Sequence, residues 1–162
     1  MEPPNGIQES RCYDAGSRLS TIVTGRGAGS DTCPTTLGTV SRYDYGYDGD
    51  GNRLSQVEQR TDAGTQQLGL SEQTLYGYDA LDRLVGTSYP DGRAVLYQLD
   101  PVGNRTGERV APASAVTDLT AFDGVPGDQL TQDITATFNR LDWLLSRTDS
   151  KDSSRGATYG YL

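Results

Sequence analysis

One short phrase recurs along this chain, and the recurrence constrains the fold more than any other feature of the sequence. Residues 75–106, LYGYDALDRLVGTSYPDGRAVLYQLDPVGNRT, contain twice an apolar residue followed by an acid, a short turn and an arginine. Self-similarity of this kind is typical of repeat architectures, in which each unit packs against the next. The phrase occurs five times, and its turns begin at Asp14, Asp48, Asp79, Asp100 and Asn139.

The five phrases predict a single repeat segment that spans residues 1–162. The interval from Asp79 to Asp100 is the shortest and is taken as the basic unit, so the longer intervals must contain insertions. The closing letters, ATYGYL, match the start of a further phrase, and we therefore expect a fragment of a longer protein. The repeat phrases lie near residues 11–22, 45–57, 76–89, 97–106 and 136–147, and the insertions near 23–42, 60–74 and 107–135.

Inside each phrase the residue pattern has a period of two. In LYGYD, Tyr76 and Tyr78 fall on one face of an extended chain, and Gly77 and Asp79 fall on the other. Aromatic and β-branched residues pack well on a pleated surface. These segments are therefore predicted to be strands, and no stretch of the sequence shows a convincing helical period.

Turn signals separate the predicted strands. DGDGN, PDG and DPVGN combine Gly, Asn, Asp or Pro within a few residues, which favours tight turns. The first Asp of a phrase can accept hydrogen bonds from turn N–H groups, so Asn139 can replace it. The arginine after the turn is placed to reach a carboxylate or carbonyl of a neighbouring hairpin. Because an isolated hairpin is only marginally stable, each one must pair with the next. The sequence predicts an all-β chain of tandem antiparallel hairpins.

Twenty residues that recur in or beside the turns are predicted to have a structural role in the repeat. They are Tyr13, Asp14, Arg18, Tyr47, Asp48, Gly51, Asn52, Arg53, Tyr78, Asp79, Arg83, Asp91, Gly92, Leu99, Asp100, Gly103, Asn104, Arg105, Phe138 and Asn139.

The charge balance argues against nucleic-acid binding, and the length of the apolar runs argues against membrane insertion. The net charge is −8 and no basic run occurs, whereas a nucleic-acid-binding domain normally carries a basic face. No apolar run approaches the length needed to span a membrane. We expect neither nucleic-acid binding nor membrane insertion.

All basic residues except Lys151 are arginine, which suits bidentate pairing with carboxylates between hairpins.

Catalysis is not expected. The chain has no histidine, which excludes every His-dependent triad and proton shuttle. Lys151 lies in DSKDSSRG, a sequence typical of a solvated loop, and no pair of acids is marked as buried and close. The sequence therefore predicts a non-enzyme without a cofactor.

One segment resembles part of a calcium loop. Asp48, Asp50 and Asn52 have the first three ligand spacings, but Arg53 replaces the required glycine and Gln59 the closing glutamate. A hairpin turn whose acids suit tight backbone geometry is the preferred interpretation. No metal site is predicted.

The two cysteines leave an alternative open. Cys12 and Cys33 enclose a segment rich in Gly, Ser and Thr, which could close as a disulfide loop in an oxidising compartment. They could equally be two unpaired small apolar residues.

The phrase from Tyr45 to Thr106 closely resembles the YD, or Rhs, repeat of bacterial Rhs proteins, Tc toxin C components, wall-associated bacterial proteins and animal teneurins. Partial matches occur at Cys12–Ser20 and Phe138–Ser146. The resemblance implies a curved strip of stacked hairpins that forms part of a hollow shell. LDPVGNRT shares only Asp100, Pro101 and Gly103 with the Asp-Pro-x-Gly-Leu-type segment that toxin members carry after their repeats, so their self-cleavage is not carried over.

The resemblance implies a structural function, as part of the wall of a secreted or surface assembly that encloses a toxin or another cargo. The expected partners are adjacent repeats, copies of the same chain, or an encapsulated polypeptide. The alternative is an extracellular adhesive module that binds a surface glycan or a protein, or that associates with itself through open sheet edges.

Overall fold

A computed structural model describes residues 6–26, 39–62 and 68–160. Within these ranges the chain forms β-strands and four short 3-10 turns, and no α-helix occurs there. The strands are β1 (Ile7–Tyr13), β2 (Leu19–Arg26), β3 (Thr39–Tyr47), β4 (Arg53–Thr61), β5 (Leu68–Tyr78), β6 (Leu84–Ser88), β7 (Arg93–Leu99), β8 (Arg105–Pro112), β9 (Gln132–Phe138), β10 (Leu144–Asp149) and β11 (Ala157–Thr158).

Each strand is hydrogen-bonded to the strand that precedes or follows it in the chain, in the order β1 to β11. The described pairings are antiparallel. This arrangement confirms the predicted all-β fold of tandem antiparallel hairpins. Successive antiparallel turns alternate between the two ends of the strands, so the turns after β1 and β3 share one end, as do those after β5, β7 and β9.

The chain divides into two compact units, residues 1–75 and 76–162. The first unit contains β1 to β4 and most of β5. The second contains the end of β5 and the remaining strands. Each unit therefore carries its own set of repeat turns, two in the first and three in the second.

The two faces of the sheet in the second unit differ. Gly86 lies opposite Leu96, and Leu96 lies opposite Arg109, so these residues share one face. Residues 113–131, here called the covering segment, lie over that face. Leu96 is 1% exposed and packs in a small core with Ala111, Val125 and Leu130.

Glycines allow the close approach of the covering segment to the sheet. A Cβ on Gly86 would overlap the main-chain oxygen of Leu119, and a Cβ on Gly77 would lie 2.7 Å from Leu119 Cβ. A Cβ on Gly107 would lie 2.5 Å from the Phe122 ring. Any larger side chain at these positions would displace the covering segment.

The structure gives a role to a region that the sequence marked as an insertion. Residues 107–135 contain most of β8, the covering segment and the start of β9. The other two insertions, near 23–42 and 60–74, likewise include the ends of β2 and β4 and the starts of β3 and β5. Strands therefore continue well past the repeat phrases, because main-chain pairing does not require the phrase itself.

Among the described residues, no helix has the length and apolar character needed to cross a membrane.

Candidate functional site

The five repeat turns share one backbone geometry. In the third turn, Asp79 N–H donates to the oxygen of Arg83 at 3.0 Å, and Asp82 N–H donates to the oxygen of Asp79 at 3.1 Å. The first of these bonds recurs in the other four turns, from Asp14 to Arg18, Asp48 to Asn52, Asp100 to Asn104 and Asn139 to Trp143. This is a three-residue hairpin loop that ends in a bulge, a connection suited to antiparallel strands.

The fourth position of each turn has a positive φ. Glycine occupies it in two turns, with φ of 99° at both Gly51 and Gly103. Ser17, Asp82 and Asp142 occupy it in the others, with φ of 61°, 58° and 60°. Small polar residues tolerate this left-handed conformation better than bulky ones. The repeat therefore fixes the backbone conformation at this position and allows its residue type to vary.

The side chain of the first turn residue binds the backbone of its own turn. Asp79 Oδ1 accepts hydrogen bonds from the N–H groups of Leu81 at 2.9 Å and Arg83 at 3.0 Å. Asn139 Oδ1 accepts the corresponding bonds from Leu141 at 2.8 Å and Trp143 at 3.0 Å. The amide oxygen of asparagine supplies the same acceptor, which explains why Asn139 replaces aspartate.

The second carboxylate oxygen of the aspartate binds the side chain four residues later. Arg83 Nε donates to Asp79 Oδ2 at 2.7 Å, and Arg18 Nε donates to Asp14 Oδ2 at 2.8 Å. In the other two aspartate turns the donor is an amide: Asn52 Nδ2 lies 3.1 Å from Asp48 Oδ2, and Asn104 Nδ2 lies 2.9 Å from Asp100 Oδ2. Arginine and asparagine are thus interchangeable at the fifth position of the turn.

These contacts lower the pKa of all four aspartates. For Asp79 the main cause is the hydrogen bond from the Arg83 side chain, and for Asp14 it is the bond from the Arg18 backbone N–H. For Asp48 and Asp100, partial desolvation acts to raise the pKa, but the side-chain and backbone hydrogen bonds of the turn outweigh it. Hydrogen bonds to a carboxylate favour its charged form.

In the second unit the turns are joined to one another. Arg83 Nη1 donates to the main-chain oxygen of Asp100 at 2.8 Å. Asn104 Nδ2 donates to Asp142 Oδ1 of the next turn at 2.9 Å. Turns 79–83, 100–104 and 139–143 therefore form a continuous row, here called the turn ladder.

The two turns of the first unit make the corresponding contact. Arg18 Nη1 donates to the main-chain oxygen of Asp48 at 2.5 Å, while its guanidinium carbon lies 5.0 Å from the centre of the Tyr47 ring. The Tyr47 hydroxyl donates to the oxygen of Leu19 at 2.8 Å. One arginine thus binds its own aspartate, the next turn and an aromatic ring.

Two of the predicted motif residues lie apart from these rows. Asp91 and Gly92 belong to the turn between β6 and β7, which is at the opposite end of the strands. That turn has the same backbone bond, from Tyr89 N–H to the oxygen of Arg93 at 2.8 Å, and Gly92 has φ of 82°. Tyrosine in the first position cannot supply the carboxylate, so Asp91 Oδ1 accepts from Arg93 N–H instead.

The arginines after the turns contact tyrosine rings in both units. The Arg53 guanidinium lies 5.6 Å from the Tyr45 ring centre. That of Arg105 lies 4.1 Å from the Tyr97 ring centre, and its Nη1 donates to Glu108 at 3.0 Å. A guanidinium stacks favourably on an aromatic face. Tyr13, Tyr78, Leu99 and Phe138 lie at the ends of β1, β5, β7 and β9, directly before the turns.

Asp48, the first residue of the segment that resembles a calcium loop, is hydrogen-bonded to its own turn. Asp48 Oδ1 accepts from the N–H groups of Asp50, Gly51 and Asn52 at 3.0, 2.8 and 2.8 Å. Across the ranges that the structure describes, no group of three acidic, cysteine or histidine side chains is placed to hold a metal ion.

The proposed disulfide falls partly outside the described residues. Cys12 lies in β1, opposite Thr21 of β2. Cys33 is not among the described residues, and the pairing stays a prediction.

Sequence reasoning missed the covering segment and its anchor, Arg109. Arg109 Nη1 donates to Asp123 Oδ1 at 2.5 Å and to the oxygen of Phe122 at 3.0 Å, while Nε donates to Asp133 Oδ1 at 3.1 Å. A signal was present, because Val116, Leu119, Phe122 and Val125 are spaced by three residues. Val125 lies in the small core with Leu96, and the other three pack against that core.

The comparisons with known proteins give one family match by sequence. The sequence model of the RHS Repeat family matches residues 47–94 and 78–116. These ranges contain three of the five turns described above, those that begin at Asp48, Asp79 and Asp100. The comparison with curated proteins gave no significant match.

Several solved structures are similar to this chain. A TcdB2-TccC3 crystal structure without its hypervariable C-terminal region is 14% identical over 96% of this chain and 10% of that chain, with a TM-score of 0.41. A Photorhabdus luminescens Tc holotoxin pore is 15% identical over 89% of this chain and 10% of that one, with a TM-score of 0.40. A DUF3836 family protein from Bacteroides vulgatus is 11% identical over 67% of this chain and 93% of that one, with a TM-score of 0.35. This chain spans about a tenth of the toxin chains.

Proposed function

We propose that this chain is a structural module, one strip of the wall of a larger RHS-repeat assembly, because its residues 47–94 and 78–116 match the RHS Repeat family. In this role the twenty motif residues hold the hairpin turns, and Arg18, Arg83 and Asn104 join successive turns. The immediate partners of the chain are neighbouring repeats.

The observation that carries the proposal is the turn ladder. Asp79 and Asp100 use both carboxylate oxygens inside their own turns. Arg83 and Asn104 then bind the next turn along the sheet. Side chains used in this way order one hairpin against the next, as a wall of stacked hairpins requires.

We further propose that the assembly is a secreted or surface protein whose wall encloses a polypeptide cargo. We assign no enzymatic activity to this strip of the wall. The support for this setting is the match to the RHS Repeat family.

Electron cryomicroscopy of the full native protein that contains this chain tests the proposal. The expected map shows β1 to β11 as paired strands within the wall of a hollow β-shell, with further repeats hydrogen-bonded beside them. A map in which this segment stands apart from any shell would contradict the wall function. Saturable binding of a defined glycan or protein by the segment would then support the adhesive alternative.

A further inference from the structure

The face of the second unit opposite the covering segment has an apolar groove. Its volume is about 210 Å³, and its floor is formed by Ile134, Ala136, Phe138 and Leu144. Phe138 lies opposite Leu144 across the β9–β10 pair, while Ile134 is 4% exposed. The floor is therefore built from directly paired strands rather than from a flexible loop.

The charged groups around the groove do not balance. Arg105, Glu108 and Arg147 line it, and Arg105 Nη1 pairs with Glu108 Oε2 at 3.0 Å. Arg147 has no ion-pair partner among the residues that the structure describes. Two guanidinium groups thus face one carboxylate, which leaves one positive charge beside an apolar floor in a protein of net charge −8.

The position of Arg147 suits ligand binding. It lies directly opposite Ala136 on the β9–β10 pair, and directly opposed side chains share one face. Ala136 has the shortest side chain of the four floor residues. Asp149, two residues further along β10, is already occupied because it accepts hydrogen bonds from the Gln132 side chain and from the N–H groups of Asp133 and Lys151.

We propose that this groove is a binding site for a carboxylate attached to a ring-sized apolar group. Arg147 would bind the carboxylate, because a guanidinium pairs with it through two parallel hydrogen bonds. The apolar group would lie on Phe138, Ile134 and Leu144. The groove volume fits a ring-sized group, because a cavity of about 150 Å³ holds one benzene molecule and sites for drug-sized ligands start at about 300 Å³.

The carboxylate could come from a free small acid or from an acidic side chain next to an aromatic residue in a peptide, and the test distinguishes these sources. The first probe is 3-phenylpropionate, titrated into the 15N-labelled full chain up to millimolar concentrations and compared with its neutral analogue, 3-phenylpropionamide. The second pair is acetyl-Phe-Glu-amide and acetyl-Phe-Gln-amide. The readout is the shift of the amide signals of residues 134–147.

The expected result is that the acid binds and shifts the signals of residues 134–147, while the amide binds at least about fivefold more weakly. Arg147→Gln should weaken binding of the acid by a similar factor. The matched control is Arg140→Gln, which removes the same charge from an exposed turn position outside the groove and should leave binding unchanged.

Equal affinities for the acid and its amide in the unmodified chain, or shifts confined to other residues, would overturn the proposal. So would an absence of binding by both probe pairs at millimolar concentration. Because these outcomes concern the unmodified chain, they hold even if a variant fails to fold. Preference for the glutamyl peptide over the free acid would assign the site to acidic peptide segments.

Discussion

Arg83 joins two successive turns, because its Nη1 donates to the main-chain oxygen of Asp100 at 2.8 Å while its Nε donates to Asp79 Oδ2 at 2.7 Å. Only a planar group with several fixed donors can make both bonds from one side chain. The contact links residues on two different hairpins and needs no particular residue type at position 100, since it uses a main-chain oxygen. This explains how a repeat can stack although its sequence varies.

Arg83→Lys is expected to destabilise the second unit. A lysine ammonium carries all its donors on one nitrogen, so it cannot bind Asp79 Oδ2 and the main-chain oxygen of Asp100 in the same geometry. We expect the melting temperature to fall by about 2–6 °C. Arg140→Lys is the matched control, because Arg140 is exposed and has no ion pair among the described residues. Equal melting temperatures for the two variants in calorimetry would show that the bridge between turns contributes nothing.

Gly86→Ala is expected to loosen the covering segment. The added Cβ would overlap the main-chain oxygen of Leu119. Because the contacted atom belongs to the main chain, the overlap can be relieved only if the covering segment shifts. Overpacking of this kind costs about 1–3 kcal/mol in the free energy of unfolding. Gly49→Ala is the control, because nothing lies within 4 Å of its Cβ position, and Ala15 and Ala80 occupy the same place in other turns. Urea denaturation of both variants measures the difference, and equal midpoints would contradict the described approach of Leu119 to the sheet.

Leu96→Ala tests whether the small core beneath the covering segment stabilises the second unit. Leu96 is 1% exposed, and its truncation should cost about 2–5 kcal/mol in the free energy of unfolding. Leu81→Ala removes the same group from a turn residue that is 66% exposed, and should change stability by less than about 0.5 kcal/mol. Denaturant unfolding that ranks the two variants in the reverse order would show that the core lies elsewhere.

Acid should weaken the turns. The folded-state pKa of Asp79 is lowered, mainly by the Arg83 hydrogen bond, so its contribution to stability is complete above the pKa of the unfolded chain. It is lost as the pH falls from about 4 through the folded-state pKa. Asp79→Asn keeps the Oδ1 acceptor, as Asn139 does, but does not titrate. The stability difference between the native chain and this variant should therefore shrink as the pH falls below about 4. A difference that stays constant from neutral pH to pH 3 in urea unfolding would contradict the Arg83–Asp79 interaction.

The turns could be predicted from the sequence because their contacts are local. Asp100 binds N–H groups at positions 102 and 104, so the residue types within five positions carry the information. The alternation of Tyr76, Gly77 and Tyr78 likewise predicted a strand. The acceptor of the Arg83 bridge was foreseen only as a carboxylate or carbonyl of a neighbouring hairpin, since sequence alone does not fix which turns become neighbours.

The covering segment could not be predicted in the same way. Leu119 lies beside Gly77 and Gly86, more than thirty positions earlier in the chain, and no local pattern links them. Its 3-10 turns are too short to produce a helical period that stands out in sequence. The groove around Arg147 was missed for a similar reason, because it depends on which residues of β8, β9 and β10 lie opposite one another.

Strands pair in chain order, and in each compact unit this pairing brings the repeat turns into a row. A nuclear Overhauser experiment on the labelled chain tests it most directly. We expect main-chain contacts that join Tyr97 with Glu108 and Glu108 with Ile134, together with contacts from the Arg83 side chain to residues 100–104. Main-chain contacts that place β9 beside β7, or an Arg83 side chain with no contact to that turn, would contradict it.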